Sequence, residues 1–314
     1  MEEDQETSVF TLVTRKPSFD LPTACPNCLP VYIYLKLSQL PFELAFNSTF
    51  PDSDELPYFE NGTYVAYNNE DGGVIEKLKK DGIFNLDSQL QFLPEYISLK
   101  ALIDSWLEEA LTYEIWIGTE GISTSKIYYS DLPWVISKVL FYKQTCMVKN
   151  RLGINKENAV EREKQIYKRA SDAYEALSTR LGEQKFIFED SPSSLDALFV
   201  SHILFTIQAL PETSKLRCNL LEHASLVTYA EKLKSEFLEA SSSSPSPPLR
   251  SFPAPFPGKG KPKSKPKVEK TEEQKKFKKR ARFFLAAQFL AVVIYLSVMG
   301  GSSSEEVEYE DEDD

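Results

Sequence analysis

Residues 191–197 read Ser-Pro-Ser-Ser-Leu-Asp-Ala and stand directly before the apolar run Leu198–Leu204. Ser193 followed by Asp196 has the form of a helix N-cap with an acidic residue three positions on. The acid can reach back to the cap's free N–H, and it suits the positive end of the helix. The segment therefore predicts a helix that starts inside the protein. Phe186-Ile187-Phe188 precedes it, and LEHASLVTYA (221–230) follows with a second apolar stripe.

Helical spacing dominates the chain around this point. Leu99, Leu102, Ile103, Trp106, Leu107, Ala110 and Leu111 recur at i, i+3, i+4 and i+7. Pro133–Lys149 carries another helical pattern. Asn158–Leu181 carries a third, with Val160, Ile166, Tyr167, Ala170, Ala173, Tyr174 and Leu177 on one side. Residues 93–240 thus read as an all-helical bundle. Its histidines, His202 and His223, read as structural.

Before Leu93-Pro94 the pattern is mixed. Val9–Val13 is β-prone, and Leu29–Leu40 has helical spacing that Pro41 stops. Phe42–Phe46 reads as a strand. Tyr58-Phe59 and Thr63–Tyr67 flank Asn61-Gly62, a hairpin signal. Gly73–Lys80 begins another helix. The predicted order over residues 8–92 is β-α-β-β-β-α, so an α/β half precedes the all-α half. Residues 1–7 are expected to be a flexible N-terminus.

That order, with Leu56-Pro57 just before the hairpin, resembles the thioredoxin-like half of glutathione transferases. The resemblance implies that Pro57 is cis and lines a thiol site, since a cis peptide is affordable only at proline. It makes Ser193 and Asp196 the family's structural Ser/Thr-x-x-Asp device. It also draws attention to Cys25-Pro26-Asn27-Cys28, in the loop after the first strand at the start of a helix. There the helix's positive end can stabilise a thiolate. Omega-type transferases place an attacking thiol at the position of Cys25 and a resolving one at that of Cys28. In the same family a Glu-Ser pair after the fourth strand holds the γ-glutamyl group of glutathione. Here that place reads Tyr67-Asn-Asn-Glu-Asp-Gly-Gly73.

The C-terminal third is of another kind. From Ala240 onward serine, proline and lysine dominate, which predicts a solvated tether over 241–270. Residues 271–282 are basic, with Lys275, Lys276, Lys278, Lys279, Arg280 and Arg282. Phe283–Met299 is FFLAAQFLAVVIYLSVM, seventeen residues without a charge. As a helix it is roughly 25 Å long, against a hydrocarbon core of about 30 Å. It reads as a transmembrane tail anchor over 283–300, a buried core helix being the alternative. Cations stay on the cytosolic side, which places residues 1–282 there and the acidic tail, 301–314, across the membrane. The basic flank is also a contact for anionic lipids.

The net charge of −11 conceals these blocks. Gly258–Arg282 carries +9 and Ser302–Asp314 carries −8, which leaves −12 for the remainder. A body that acidic repels phosphate backbones and argues against nucleic acid as a partner. No Walker loop, GxGxxG, HExxH or GxSxG occurs, and the four cysteines (25, 28, 146, 218) lack a metal-ligand pattern. Neither a cofactor nor a metal is expected.

The combination of thioredoxin-like half, Pro-Ser-Ser-Leu-Asp-Ala (192–197), LEHASLVTYAEKLKSEF (221–237) and C-terminal anchor resembles the metaxins, most of all their plant members. The resemblance implies a non-enzymatic subunit of the mitochondrial outer-membrane import and sorting machinery. It would help β-barrel precursors assemble, with subunits of the barrel-assembly complex and precursor polypeptides as partners. It also selects the mitochondrial outer membrane, which span and flank alone do not. The alternative is a tail-anchored glutathione-dependent thiol transferase using Cys25.

Overall fold

The computed structural model describes residues 10–47, 54–188, 191–239 and 250–251. The chain divides into two units, Met1–Phe256 and Pro257–Asp314, and every described residue belongs to the first. Phe283–Met299, the basic residues Lys275–Arg282 and the acidic tail all lie outside the described residues. Among the described residues no helix is long and apolar enough to cross a membrane.

The first half follows the predicted order. Strand β1 (Thr11–Thr14) is followed by α1 (Cys28–Leu37), β2 (Glu43–Phe46), β3 (Tyr58–Asn61), β4 (Tyr64–Tyr67) and α2 (Val74–Lys80). β1 pairs parallel with β2, placing Leu12 opposite Leu44, and antiparallel with β3, placing Leu12 opposite Phe59. The hairpin sits one residue later than Asn61-Gly62 suggests. Asn61 pairs with Tyr64, so Gly62 and Thr63 form the loop. Gly62 has φ +59°, the positive value a type II′ turn needs at its first position. α1 ends at Leu37, before Pro41 could stop it, because the Ser38 hydroxyl bonds the Leu35 carbonyl and Gln39 turns left-handed. In the segment expected to be a tether, Arg250 and Ser251 form β5, a fifth strand parallel to β2. The sheet order is β4-β3-β1-β2-β5.

Alternation divides the sheet's side chains between two faces. Leu12, Phe59 and Ala66 join the main core, whereas Val13, Ala45 and Leu56 form a small second cluster with Tyr58. The main core runs without a break into the helical half, through Tyr34 and Leu35 of α1 to Phe199 and Ile203.

The second half is helical throughout. α3 (Pro94–Leu102) and α4 (Glu108–Tyr113) form one long rod, interrupted by a π-helical turn at Ile103–Leu107 and ended by another at Glu114–Gly118. α5 (Ile122–Tyr128), α6 (Trp134–Arg151), α7 (Ala159–Leu181), α8 (Ser194–Ala209), α9 (Lys215–Leu221) and α10 (Ala224–Leu233) follow. α8 is the axis of the body. Thirteen of its sixteen residues are buried, and it packs against α1, α9 and α10. α7 buries Ile166, Ala170, Ala173, Tyr174 and Leu177 as predicted, but Val160 is exposed. The reason is angular: six residues at 3.6 per turn put Val160 about 120° around the helix from Ile166.

Candidate functional site

The start of α8 is a complete capping box. The Ser193 hydroxyl accepts from the Asp196 N–H, and Asp196 accepts from the Ser193 N–H at 2.8 Å. Asp196 also takes the Ile187 N–H at 2.8 Å and the Tyr229 hydroxyl at 2.5 Å. One buried carboxylate therefore fixes the strand-like approach to α8, the helix start and α10. Burial pushes the Asp196 carboxyl up, and these hydrogen bonds work against that rise.

Beside it lies a junction that the sequence reading missed. Asp87, from the loop leaving the first half, accepts from both the backbone and the hydroxyl of Ser194. The Lys79 ammonium of α2 lies 2.6 Å from Asp87 and 3.1 Å from the Ser194 hydroxyl. The Tyr96 hydroxyl of α3 completes the group at 3.0 Å from Asp87. Three helices from both halves meet on one carboxylate.

Cys25 and Cys28 lie at the start of α1. Asn27 is the helix's N-cap residue, and the Cys25 carbonyl accepts from the N–H groups of Cys28 and Leu29 at 3.1 and 3.0 Å. Cys25 and Cys28 are free thiols, and both are buried. The thiol of Cys28 hydrogen-bonds Cys25, which lowers the Cys25 pKa to about 6. Burial opposes this; the Arg15 charge and the N–H groups of Cys28 and Asn27 reinforce it. Burial pushes the Cys28 thiol in the other direction, well above its ordinary value. Arg15 comes from the end of β1, and its guanidinium lies 4.7 Å from the ring centre of Tyr128 in α5. The Tyr128 hydroxyl in turn hydrogen-bonds Cys25. Sequence gave no signal for Arg15 or Tyr128, because the latter is a hundred residues away. The Leu56–Pro57 peptide at the head of β3 is cis.

Between the halves runs a cleft of about 410 Å³, lined by Pro26, Asn27, Gly73, Ile103, His202 and Phe205 among others. In the turn where transferases carry Glu-Ser, it is lined by Asn68, Gly72 and Gly73. Asp71 is turned to Lys77 and Lys80, at 2.9 and 2.8 Å. His202 donates to or accepts from the Tyr174 hydroxyl at 2.7 Å. Burial depresses its imidazole to about 3, so it is neutral at any physiological pH. Cys25 is 2% exposed, and no carboxylate–hydroxyl pair stands in the turn to hold a γ-glutamyl group. Among the described residues no cluster of His, Cys, Asp and Glu could hold a metal.

Comparison with known proteins agrees with this architecture. The glutathione S-transferase N-terminal domain family matches residues 26–121, and the glutathione S-transferase C-terminal domain family matches residues 170–233. The fold is that of a glutathione S-transferase: a thioredoxin-like sheet followed by a helical domain. A solved glutathione S-transferase of Ceriporiopsis subvermispora is 13% identical, with a TM-score of 0.49 over 77% of this chain and 100% of that one. The nearer relatives are of another name. "Mitochondrial outer membrane import complex protein METAXIN" of Arabidopsis thaliana is 86% identical over the full length of both chains. Metaxin-1 of Mus musculus is 28% identical over 67% of this chain and 69% of its own. The chain belongs to the metaxin family.

Proposed function

We propose that this protein is a non-enzymatic subunit of the mitochondrial outer-membrane import machinery and helps β-barrel precursors assemble. The observation that carries the reading is the 86% identity, end to end, with an Arabidopsis protein named for that import complex. Phe283–Met299 anchors it by a single span. Lys275, Lys276, Lys278, Lys279, Arg280 and Arg282 keep the two-lobed body on the cytosolic side and meet anionic lipid. Ser302–Asp314 lies in the intermembrane space. Subunits of the barrel-assembly complex and precursor chains are the partners.

The chemistry of the site supports a quiet scaffold. Thiol transfer needs a thiolate that a glutathione disulfide can reach, and a Cys25 that is 2% exposed offers poor access. A null line tests the reading: newly imported β-barrels should assemble slowly, and a Cys25→Ser transgene should restore them fully. Normal assembly in the null line would overturn the proposal. Release of the full-length protein from mitochondria by alkaline carbonate would overturn the anchor.

A further inference from the structure

The outer edge of β2 is filled from the far end of the described chain. Glu43 donates its N–H to the Phe10 carbonyl at 2.8 Å, and Asn47 donates to that of Thr14 at 2.9 Å. Every second residue from 43 to 47 therefore faces β1. Alternation turns the N–H and C=O groups of Leu44 and Phe46 to the other side. In a sheet that ended at β2 those groups would be left for water. Here β5 lies there, parallel to β2, with Arg250 opposite Ala45 and Ser251 opposite Phe46. Both residues lie beyond residue 233, where the second matched family segment ends.

Proline sets how much of this edge the chain covers. Residues 245–257 read Pro-Ser-Pro-Pro-Leu-Arg-Ser-Phe-Pro-Ala-Pro-Phe-Pro. Residues 249–252 are the longest proline-free run among them, and β5 falls inside it. Proline has no N–H to give a ladder, so the strand gains no donor at 247, 248, 253 or 255. It pairs with two of the four residues of β2. The sequence thus places this strand and also keeps it short. Each ladder hydrogen bond has a small net worth, so two paired residues hold weakly.

A longer strand would find more. It would carry the ladder on to Glu43 and Leu44. Ala45 belongs to the small cluster of Val13, Leu56 and Tyr58 rather than to the main core, and alternate apolar side chains of an added strand would pack beside it. An edge that pairs through main chain selects an extended polypeptide as its partner. A second copy is disfavoured, because a two-fold contact of β2 with β2 must release two short strands to make one interface. We propose that the outer edge of β2 is a strand-addition site for an extended, proline-free segment of a partner polypeptide, and that Arg250–Ser251 is a latch which that segment displaces. The kind of partner, a precursor whose strands are still unpaired, rests on the import reading.

The test uses the full-length chain in mild detergent and a fluorescein-labelled peptide of alternating valine and threonine with a lysine at each end. Arg250→Pro with Ser251→Pro removes the latch's donors and should raise peptide affinity about tenfold, read by anisotropy. The reverse variant closes the latch. In a chain carrying Cys146→Ser and Cys218→Ser, which removes the two less buried thiols, Phe46→Cys with Ser251→Cys should form a disulfide across the register. Paired residues of neighbouring strands lie within its reach. The locked chain should not bind, and dithiothreitol should restore binding. A peptide with two valines changed to proline should bind no variant. Equal affinity for wild type, proline variant and locked chain would overturn the proposal, as would binding to none of them. A disulfide that does not close would remove the latch, and a proline variant that dimerises in place of binding peptide would make a second copy the occupant. None of these failures touches the import reading, which is measured by barrel assembly. Latch-controlled binding together with normal assembly in the null line would keep the strand site and remove the precursor as its partner.

Discussion

Ser194 and Asp87 are joined twice, by the Ser194 N–H to Oδ1 at 2.8 Å and by its hydroxyl to Oδ2 at 2.6 Å. The first turn of the central helix is thereby tied to the exit of the thioredoxin-like half. Lys79 supplies the countercharge, and both charged side chains are almost wholly withdrawn from water. Removing one partner of such a pair strands the other. Asp87→Ala is expected to cost about 3–5 kcal/mol, read as a lower urea midpoint. Burial alone would raise the Asp87 carboxyl, but the Lys79 charge and the hydrogen bonds from Lys79 and Ser194 hold it below its ordinary value. This stabilisation is present above the unfolded carboxylate pKa and is lost as pH falls through the lower, folded one. Acid should therefore open this junction, and Asp87→Asn should flatten that part of the pH profile.

A second acid-sensitive element acts at a higher pH. His202 is held neutral by burial, with its pKa lowered from 6.5 to about 3. Between those values the unfolded chain binds a proton that the folded chain refuses, so stability falls as pH falls. By pH 5 the loss should be about 2 kcal/mol. His202→Gln should remove most of this slope and keep a partner for the Tyr174 hydroxyl. Thermal melts of both proteins across this range check it; parallel profiles would assign the slope to other groups.

The capping box supplies a graded test. Ser193→Ala removes one cap acceptor and should cost about 1–2 kcal/mol. Asp196→Ala does more, because it also strands the Ile187 N–H and the Tyr229 hydroxyl in the interior. Each stranded group adds about 1–3 kcal/mol. Denaturant titrations should rank Asp196→Ala well below Ser193→Ala. Equal losses would mean that the helix start, rather than the junction with α10, carries the effect.

What the sequence discloses here is what is local. The Ser193–Asp196 spacing, the order of strands and helices around the hairpin, and the stripe from Ile166 to Leu177 all depend on neighbours within a turn or two. The junction of Lys79, Asp87, Tyr96 and Ser194 depends on four segments that only the fold assembles. The same holds for Arg15 and Tyr128 beside Cys25. α6 illustrates the opposite case. Its periodic pattern marks a helix, yet apolar residues on both sides hide which face meets the body, and only the structure separates Val148 from Val139.

The charge on Cys25 gives the last prediction. Its thiol is lowered to about 6 first by the hydrogen bond from Cys28, then by Arg15 and by backbone N–H groups, all against the cost of burial. The ultraviolet absorbance of thiolate should titrate with a midpoint near 6 in the wild type and vanish from that range in Cys25→Ser. Cys28→Ala and Arg15→Met should both move the midpoint upward, since each removes a group that favours the charged sulfur. Cys25, with Arg15 and Tyr128 beside it, joins β1 and α1 to α5, so a charge there would have a structural use. In a chain carrying Cys146→Ser and Cys218→Ser, which removes the two less buried thiols, reaction with a bulky maleimide should accordingly be slow in the folded protein and fast after unfolding. Rapid native labelling of that variant at pH 7, together with turnover of a glutathione mixed disulfide, would instead make the pair catalytic.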